Sequence, residues 1–416
     1  MASRLAFTPS PLRDPAQREW KGWGEGGDVQ TSHAGLRLLL LGLLLPLLAA
    51  APAKLKVYEG KYYVIHTDLT GDELREADLR MTKMAEEYHA RTAGFSGSIS
   101  RKFPFFFYRE MDDYLHAGGQ KGTAGFFDPN TEKLVAMAGE ETDAYSWHVV
   151  QHEGFHQFAK AVIGGELPIW VNEGMAEYFG EGLFTGDGFV TGVIPPDRLV
   201  RVQKTIKAKQ FKSIKEMMLL AHADWNSEMT IRNYDQAWSM VQFLAHAENG
   251  KYQGAFVQFM RDIGKGKPWD KAWLANFGSA EGFEEKWKTY WMSLSGNPTR
   301  ELYAKALVQT LTGVLARATA QQQKFKTFDE LAEAVEAKTI KMDTRDWLPP
   351  ALVSEAFESA KKARGNGYGF DLVTSAGAKP PTIVCTLKDG GKLTGRFTIS
   401  QGRVGEVMVE MPAKRT

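Results

Sequence analysis

Two histidines and a glutamate in the segment His152-Glu153-Gly154-Phe155-His156 have the types and the spacing of a metal site. Residues four apart lie on the same face of an α-helix, so His152 and His156 can share one metal ion. Glu153 projects at the edge of that face, where its carboxylate can reach a metal-bound water. Zinc lowers the pKa of such a water toward about 7, and the carboxylate takes its proton as the water attacks a carbonyl.

A catalytic zinc site needs a third protein ligand and one open position. Sixteen residues after His156, the segment NEGMAEY (172–178) begins on a predicted second helix. A helix–turn–helix arrangement can bring Glu173 to the ion. Glu177 lies one turn further along the same face and can accept the second N–H of a ligating histidine. The alternative is an amphipathic helix whose histidines only line a polar core.

The motifs HEGFHQF and WVNEGMAEYF together resemble the gluzincin class of zinc metallopeptidases, in which an HExxH helix precedes a glutamate ligand in an NE-type helix. The resemblance implies a complete set of site residues: His152, His156 and Glu173 as zinc ligands, Glu153 as general base, and Glu177 as hydrogen-bond acceptor beside the ligands. The stretch 63–294 is similar to an uncharacterised gluzincin-like domain common in exported bacterial proteins.

The gluzincin resemblance implies two further parts of the site. An edge strand ahead of the active helix aligns the substrate backbone in this class, and residues 134–139 are the matching segment. Gluzincins often stabilise the oxyanion with a Tyr or His from a later helix, which makes Tyr234 the candidate here; the alternative is a tyrosine that only packs at a helix start. The sequence lacks a GxMEN-type signature, which argues against the aminopeptidase branch.

Two neighbours of the motif need separate interpretations. His148 extends the histidine ladder by one turn, but only the pair formed by His152 and His156 has a glutamate directly after its first member, so His148 is predicted to be a partly buried neighbour. Gly154 inside a helix costs about 1 kcal/mol relative to alanine. Close approach of another backbone would explain this glycine.

The elements that must position these residues predict an α+β protein. The site helices are predicted at 143–163 and 168–180. Ahead of them, the patterns predict strands within 56–68, at 105–108, and as a hairpin at 124–128 and 133–138, with helices at 72–91 and 110–117. After them, helices are predicted near 197–209, 213–221, 233–248, 251–263, 281–294, 300–320, 328–337 and 350–362. Residues 365–379 are predicted to be a linker, followed by three strands within 382–410.

This order predicts a division of the chain into four parts. Residues 1–53 form an N-terminal extension and signal peptide. Residues 54–295 form the zincin-like domain, with a mixed sheet and active-site helix first and a helical subdomain second. Residues 296–364 form a further helical segment, and residues 380–412 a small β-meander.

Composition excludes several classes of protein. The chain has 416 residues, 43% of them hydrophobic, and 51 basic against 50 acidic side chains. These values argue against a disordered chain, and the lack of a basic excess argues against nucleic-acid binding. The sequence has no GxxxxGK[ST] loop and no strand-linked GxGxxG, so nucleotide binding has no support. The single cysteine, Cys385, excludes a cysteine-rich metal site and is predicted to be buried.

The N-terminus carries the pattern of an export signal. Arg37 precedes an apolar run at 38–51, and Ala51-Pro52-Ala53 provides an A-x-A end. The run of about 14 residues is shorter than the roughly 20 that span a bilayer. We therefore expect cleavage after Ala53 and a periplasmic or extracellular protein; the alternative is an N-terminal membrane anchor.

These patterns predict an exported zinc metallopeptidase that acts on a peptide or protein substrate. The alternative is an exported binding or scaffold protein that keeps the zincin fold without turnover. The presence of Glu153 favours the enzyme, since a scaffold has no chemical reason to keep a general base.

Overall fold

The computed structural model describes residues 54–138, 144–164, 167–221, 223–225, 230–374 and 379–411. The predicted N-terminal extension and signal peptide, residues 1–53, lie outside these ranges. Within them, no helix combines the length and the apolar character that crossing a bilayer would need. The chain is an α+β protein with a mixed sheet first, a helical middle region, and an antiparallel sheet last.

The N-terminal sheet contains five strands in the order β1-β2-β3-β5-β4. Their bounds are β1 Lys56–Glu59, β2 Tyr63–Thr67, β3 Phe103–Tyr108, β4 Gly125–Asp128 and β5 Lys133–Met137. β2, β3 and β5 are parallel, and both outer pairs are antiparallel. Helix α1, Gly71–Thr92, provides the crossover that the parallel pair β2–β3 requires.

The pairing of the hairpin corrects one expectation from the sequence. Residues 134–139 were expected to form the edge strand, but β5 pairs with β3 on one side and β4 on the other. The edge strand at this end of the sheet is therefore β4. The hairpin itself is where the sequence places it; which of its strands docks on β3 depends on contacts distant in sequence.

One further helix, α2 Met111–His116, lies between β3 and β4, and the others follow the sheet. They are α3 Ala144–Phe158, α4 Ile169–Gly180, α5 Pro196–Lys207, α6 Ile214–Leu219, α7 Ile231–Gly250, α8 Gln253–Gly264, α9 Trp269–Phe277 and α10 Ala280–Ser293. A π-helical turn, Ala159–Ile163, continues α3. The helix α9 was not predicted, although Pro268 and Gly278 bracket it as start and stop signals. The segment between α4 and α5 adds a short hairpin of β6 Leu183–Phe184 and β7 Phe189–Val190.

One hydrophobic core joins the sheet to these helices, from Tyr63 to Trp291. Large aromatic side chains dominate its helical part, among them the fully buried Trp170, Trp238, Trp287 and Trp291. Because α3 and α4 pack within this core, the side chains that they present to each other are held on rigid elements.

The C-terminal part has its own core, from Ala304 to Phe397. It contains α11 Arg300–Ala320, α12 Phe328–Glu336, α13 Pro350–Gly365 and the strands β8 Gly369–Val373, β9 Thr382–Thr386, β10 Lys392–Ser400 and β11 Arg403–Glu410. The expectation of a linker at 365–379 and three strands was wrong at β8. Phe370 and Leu372 are buried in alternation with exposed neighbours, so this segment completes a four-stranded antiparallel sheet.

A buried ion pair joins the two parts of the chain. Arg317 of α11 is 5% exposed, and its guanidinium Nη2 lies 2.8 Å from Asp187 Oδ1 and 3.2 Å from Asp346 Oδ1. Asp187 sits in the turn of the β6–β7 hairpin, directly after the helix α4. The C-terminal part is therefore anchored close to one of the two helices that carry the candidate site.

Candidate metal centre

Side chains of α1 and α3 fix the position of the HExxH segment. Gln151 of α3 donates from its amide nitrogen to three carbonyls at the end of α4, those of Phe179, Gly180 and Gly182, at 3.0–3.2 Å. The Phe179 and Gly180 carbonyls belong to the last turn of α4, which leaves its carbonyls without an intrahelical partner, and Gly182 lies just beyond the helix. Tyr88 of α1 donates its hydroxyl to the Gln151 carbonyl. Gln151, the residue directly before His152, thus connects α3 to both α1 and α4.

Close packing explains the glycines in both motifs. A Cβ at Gly154 would lie 3.0 Å from the Tyr88 hydroxyl, so the expected close approach exists but comes from a side chain and not from a backbone. At Gly174, by contrast, a Cβ would lie 2.5 Å from the backbone carbonyl oxygen of Ala237 in α7. Glycine at this position lets α4 approach α7 directly beside Glu173.

Three ligand atoms converge between α3 and α4. His152 Nε2 and His156 Nε2 are 3.1 Å apart, and Glu173 Oε2 lies 3.4 Å from the first and 3.5 Å from the second. A tetrahedral zinc ion with bonds of about 2.0–2.1 Å places its ligands about 3.3–3.4 Å apart. The three side chains are 11–13% exposed. This donor set therefore has the spacing and the chemistry to hold one metal ion.

Glu177 orients the first histidine. Its Oε1 lies 3.3 Å from His152 Nδ1 and can accept a proton from this nitrogen, while Nε2 of the same ring faces Glu173 and His156. Burial opposes ionisation of Glu177, but Arg198 and His152 outweigh it and hold its pKa well below the usual range. Likewise burial opposes ionisation of Glu173, and the two imidazoles lower its pKa to about 2. Both carboxylates are thus ionised at neutral pH.

Glu153 interacts electrostatically with His152, His156 and Glu173 without joining their group. Among the described residues, neither group that could hold a metal ion includes it. Its Oε2 accepts a hydrogen bond of 2.9 Å from the backbone N–H of Phe127, on the edge strand β4. Burial raises the pKa of the Glu153 carboxyl. The carboxylate is thus held at the junction of the metal group and the sheet edge.

His148 belongs to a second possible metal group, together with His152 and Glu177. Its Nε2 lies 3.8 Å from Glu177 Oε2, but the guanidinium of Arg198 lies 2.7 Å from that same oxygen. The His148 ring also packs against Gly180, where a Cβ would be 2.9 Å away. These contacts agree with the interpretation of His148 as a partly buried neighbour.

Tyr234 lies near the site, at the start of α7. The centroid of its ring is 6.3 Å from that of His152 and 5.1 Å from that of Trp225. Burial, followed by the charge of Glu173, raises the pKa of its hydroxyl, which therefore stays protonated as a donor. The position of Tyr234 is compatible both with an oxyanion donor and with a tyrosine that only packs at a helix start. Its role in oxyanion stabilisation stays a prediction.

Sequence reasoning missed one buried charge at the centre of this arrangement. Arg198 of α5 is 3% exposed, and its partners come from α4 and α7. The surrounding sequence, Pro195-Pro196-Asp197-Arg198, reads as an ordinary helix start. The one local signal was the proline pair, which predicts the helix but not the direction of the arginine.

Fold and geometry together define an α+β protein with a candidate His–His–Glu metal group between two core helices. A family model described as a protein of unknown function, DUF1570, matches residues 146–270. The match covers all three candidate ligands, Glu153, Glu177 and Tyr234, and ends before the C-terminal part. No curated protein matches the chain significantly. The comparisons thus leave activity to be argued from the site.

Proposed function

We propose that this chain is a zinc-dependent peptidase of the gluzincin type, with a zincin-like fold in its N-terminal and central parts. One observation carries the proposal. The three ligand atoms lie 3.1–3.5 Å apart, close to the edge lengths of a zinc tetrahedron, and Glu153 directly follows His152 and interacts electrostatically with all three side chains. Two imidazoles and one carboxylate are a ligand set that catalytic zinc uses in peptidases.

Each residue then has a defined task. His152, His156 and Glu173 would hold the ion, and Glu177 keeps His152 in the tautomer that presents Nε2. Zinc in such a centre acts as a Lewis acid and lowers the pKa of a water molecule. The N–H of Phe127 holds Glu153 Oε2, so Oε1 is the oxygen that takes the proton as the water attacks the peptide carbonyl. Glu153 returns that proton to the leaving amine, since an amide nitrogen must be protonated to depart.

The edge strand β4 supports a peptide as the substrate. The N–H and C=O groups of one residue in an antiparallel strand point to the same side. The N–H of Phe127 points away from β5, because it reaches Glu153. The carbonyl of Phe127 and both backbone groups of Gly125 lie on that same side of β4. Gly125 is buried and Phe127 is half-buried, so the Phe127 carbonyl is the group with which an extended peptide could pair. Tyr234 is proposed to donate to the developing oxyanion.

The proposal also includes location. The basic flank, apolar run and A-x-A end within residues 1–53 support export to the periplasm or the extracellular space. Retention of this segment as a membrane anchor is the alternative. Fractionation of cells and N-terminal sequencing of the mature protein would distinguish the two, because only cleavage yields a chain that begins at Lys54.

Glu153→Gln is the test of the mechanism. Glutamine keeps the size of the side chain but cannot take a proton, and general-base catalysis contributes about 10²–10⁴-fold. Digestion of a broad peptide library should fall by this factor while zinc content stays at one per chain. Glu285→Gln, on an exposed face of α10, is the matched control and should keep full activity. Undiminished hydrolysis by Glu153→Gln would refute the mechanism.

The wild-type control in the same experiment addresses the alternative function. The three ligand side chains are only 11–13% exposed, so a substrate must reach a nearly enclosed centre. Zinc binding without chelator-sensitive hydrolysis of any library peptide would favour a non-catalytic zincin-fold binding protein.

A further inference from the structure

The two possible metal groups share His152 and use opposite nitrogens of its ring. The group with His156 and Glu173 uses Nε2, and the group with His148 and Glu177 lies on the side of Nδ1. Geometry of the histidines alone does not choose between them, because both pairs are one helical turn apart. Some other feature must direct a metal ion to one side of His152.

The charges around Glu177 supply that feature. Arg198 is buried, and its Nη1 lies 2.7 Å from Glu177 Oε2 and 2.8 Å from Glu181 Oε1. Its Nε lies 2.9 Å from Asp235 Oδ1, and its guanidinium stacks over the Trp238 ring with 4.5 Å to the centroid. A planar guanidinium fixed by three carboxylates and an aromatic face has little freedom to leave.

We propose that Arg198 is a positioning residue that selects the side of His152 on which the metal binds; this rests on the proposed metal centre. The guanidinium of Arg198 forms an ion pair with Glu177 Oε2, the oxygen that faces His148. Its positive charge opposes the binding of a metal cation on that side. Glu177 Oε1 is left to accept from His152 Nδ1. Glu177 is thereby kept as a hydrogen-bond acceptor and is prevented from becoming a ligand.

The same arginine connects this choice to α7. Asp235 Oδ1 forms an ion pair with Arg198 Nε at 2.9 Å, without hydrogen-bond alignment, and Asp235 Oδ2 accepts a hydrogen bond of 2.8 Å from Arg201 Nε. Asp235 directly follows Tyr234, so one buried charge network ties the metal ligands to the start of the helix that carries the proposed oxyanion donor. Loss of Arg198 should disturb both.

The experiment measures metal binding by the full-length mature chain, independently of peptidase activity. Apo protein is titrated with Co²⁺, whose absorption spectrum reports the ligand set, and with Zn²⁺ against a chromophoric chelator. Four proteins are compared: wild type, Arg198→Gln, His148→Ala and the double variant. Thermal unfolding of each apo protein reports whether it is folded.

Arg198→Gln should weaken metal binding by about 10–100-fold, as loss of groups that orient metal ligands does. Its Co²⁺ spectrum should differ from wild type, because the freed Glu177 and His148 enter the ligand set. His148→Ala should change wild-type affinity less than about twofold, but should weaken the Arg198→Gln protein by about threefold or more and restore the wild-type shape of the spectrum. This non-additivity is a result that a merely structural role of Arg198 would not give.

Two results would overturn the inference. In one, Arg198→Gln folds, binds metal within about twofold of wild type and is indifferent to His148. In the other, His148→Ala weakens wild type and Arg198→Gln equally. If Arg198→Gln does not fold, Arg198→Lys replaces it in the test, because lysine keeps the charge but loses the planar guanidinium. Metal affinity of this variant should fall about threefold to tenfold, and an unchanged affinity overturns the inference. A wild-type chain that binds no metal would instead refute the proposed function together with this inference.

Discussion

Replacement of Gly174 by alanine would test how α4 is held beside the metal ligands. The new Cβ would lie 2.5 Å from the carbonyl oxygen of Ala237 and 2.8 Å from Val241 Cγ2. An ordinary contact between carbon and a carbonyl oxygen is about 3.3 Å, so the two helices must separate by about 0.8 Å. The obstacle is backbone within a helix and cannot rotate away.

The cost follows from this geometry. Overpacking of a core costs about 1–3 kcal/mol, and a rigid backbone obstacle places this case near the upper value. Alanine has a higher helix propensity than glycine, and this offsets about 1 kcal/mol of that cost. For a unit of about 200–250 residues, a net loss of about 2 kcal/mol should lower the Tm by about 4 °C. Because Glu173 is the adjacent residue, a shift of α4 should also weaken zinc binding, by about tenfold where ligand displacement exceeds the tolerance of about 0.2 Å.

Differential scanning calorimetry of the apo protein and chelator competition for zinc measure the two effects. Gly254→Ala is the matched control, since Gly254 also lies in a helix but has no atom within 4 Å of the added methyl group. This control should be neutral or stabilising by up to about 1 kcal/mol. If Gly174→Ala melts at the wild-type temperature and binds zinc equally well, the α4–α7 contact does not position the site.

Three further changes have expected outcomes. Glu173→Ala should lower zinc occupancy on elemental analysis by removing the only carboxylate ligand proposed; full occupancy would place the third ligand elsewhere. Arg317→Met should destabilise the protein by about 3 kcal/mol in denaturant titrations because it leaves Asp187 and Asp346, which are only 18% and 13% exposed, without their cation. Arg345→Met, from a pair that is 70% exposed on the arginine side, should change stability by less than about 0.5 kcal/mol, and equal effects would contradict this reasoning. Cys385 is fully buried and its burial raises the pKa of the thiol to about 12, so a maleimide should label it only after unfolding, and labelling of the native protein would show that β9 opens.

Regular periodicity predicted the long elements well because it depends on residues close in sequence. The helix expected at 300–320 is observed as Arg300–Ala320, and the helix expected at 72–91 as Gly71–Thr92. The spacing within HExxH likewise places two imidazoles on one face without reference to the rest of the chain. What local pattern predicts is therefore the pair of histidines and the two helices that carry the ligands.

Local sequence patterns did not predict the features that depend on contacts between residues distant in sequence. The hairpin of β4 and β5 was expected, but its edge strand was assigned incorrectly, because docking on β3 is decided by residues about 30 positions away. The reason for Gly154 lies in Tyr88, on another helix. Arg198 reaches carboxylates in α4 and α7, and no spacing along α5 indicates such partners.

The corrected edge strand changes what the proposed enzyme can bind. With β4 at the edge, the backbone that faces a substrate is the same backbone that holds the general base, because the N–H of Phe127 donates to Glu153. A peptide paired with β4 would then use the carbonyl of Phe127, because Gly125 is buried. Such pairing is short, so the side chains of the peptide would have to supply much of the binding energy. Because Phe127 also holds Glu153, we expect the peptide bond opposite Phe127 to be the one cleaved.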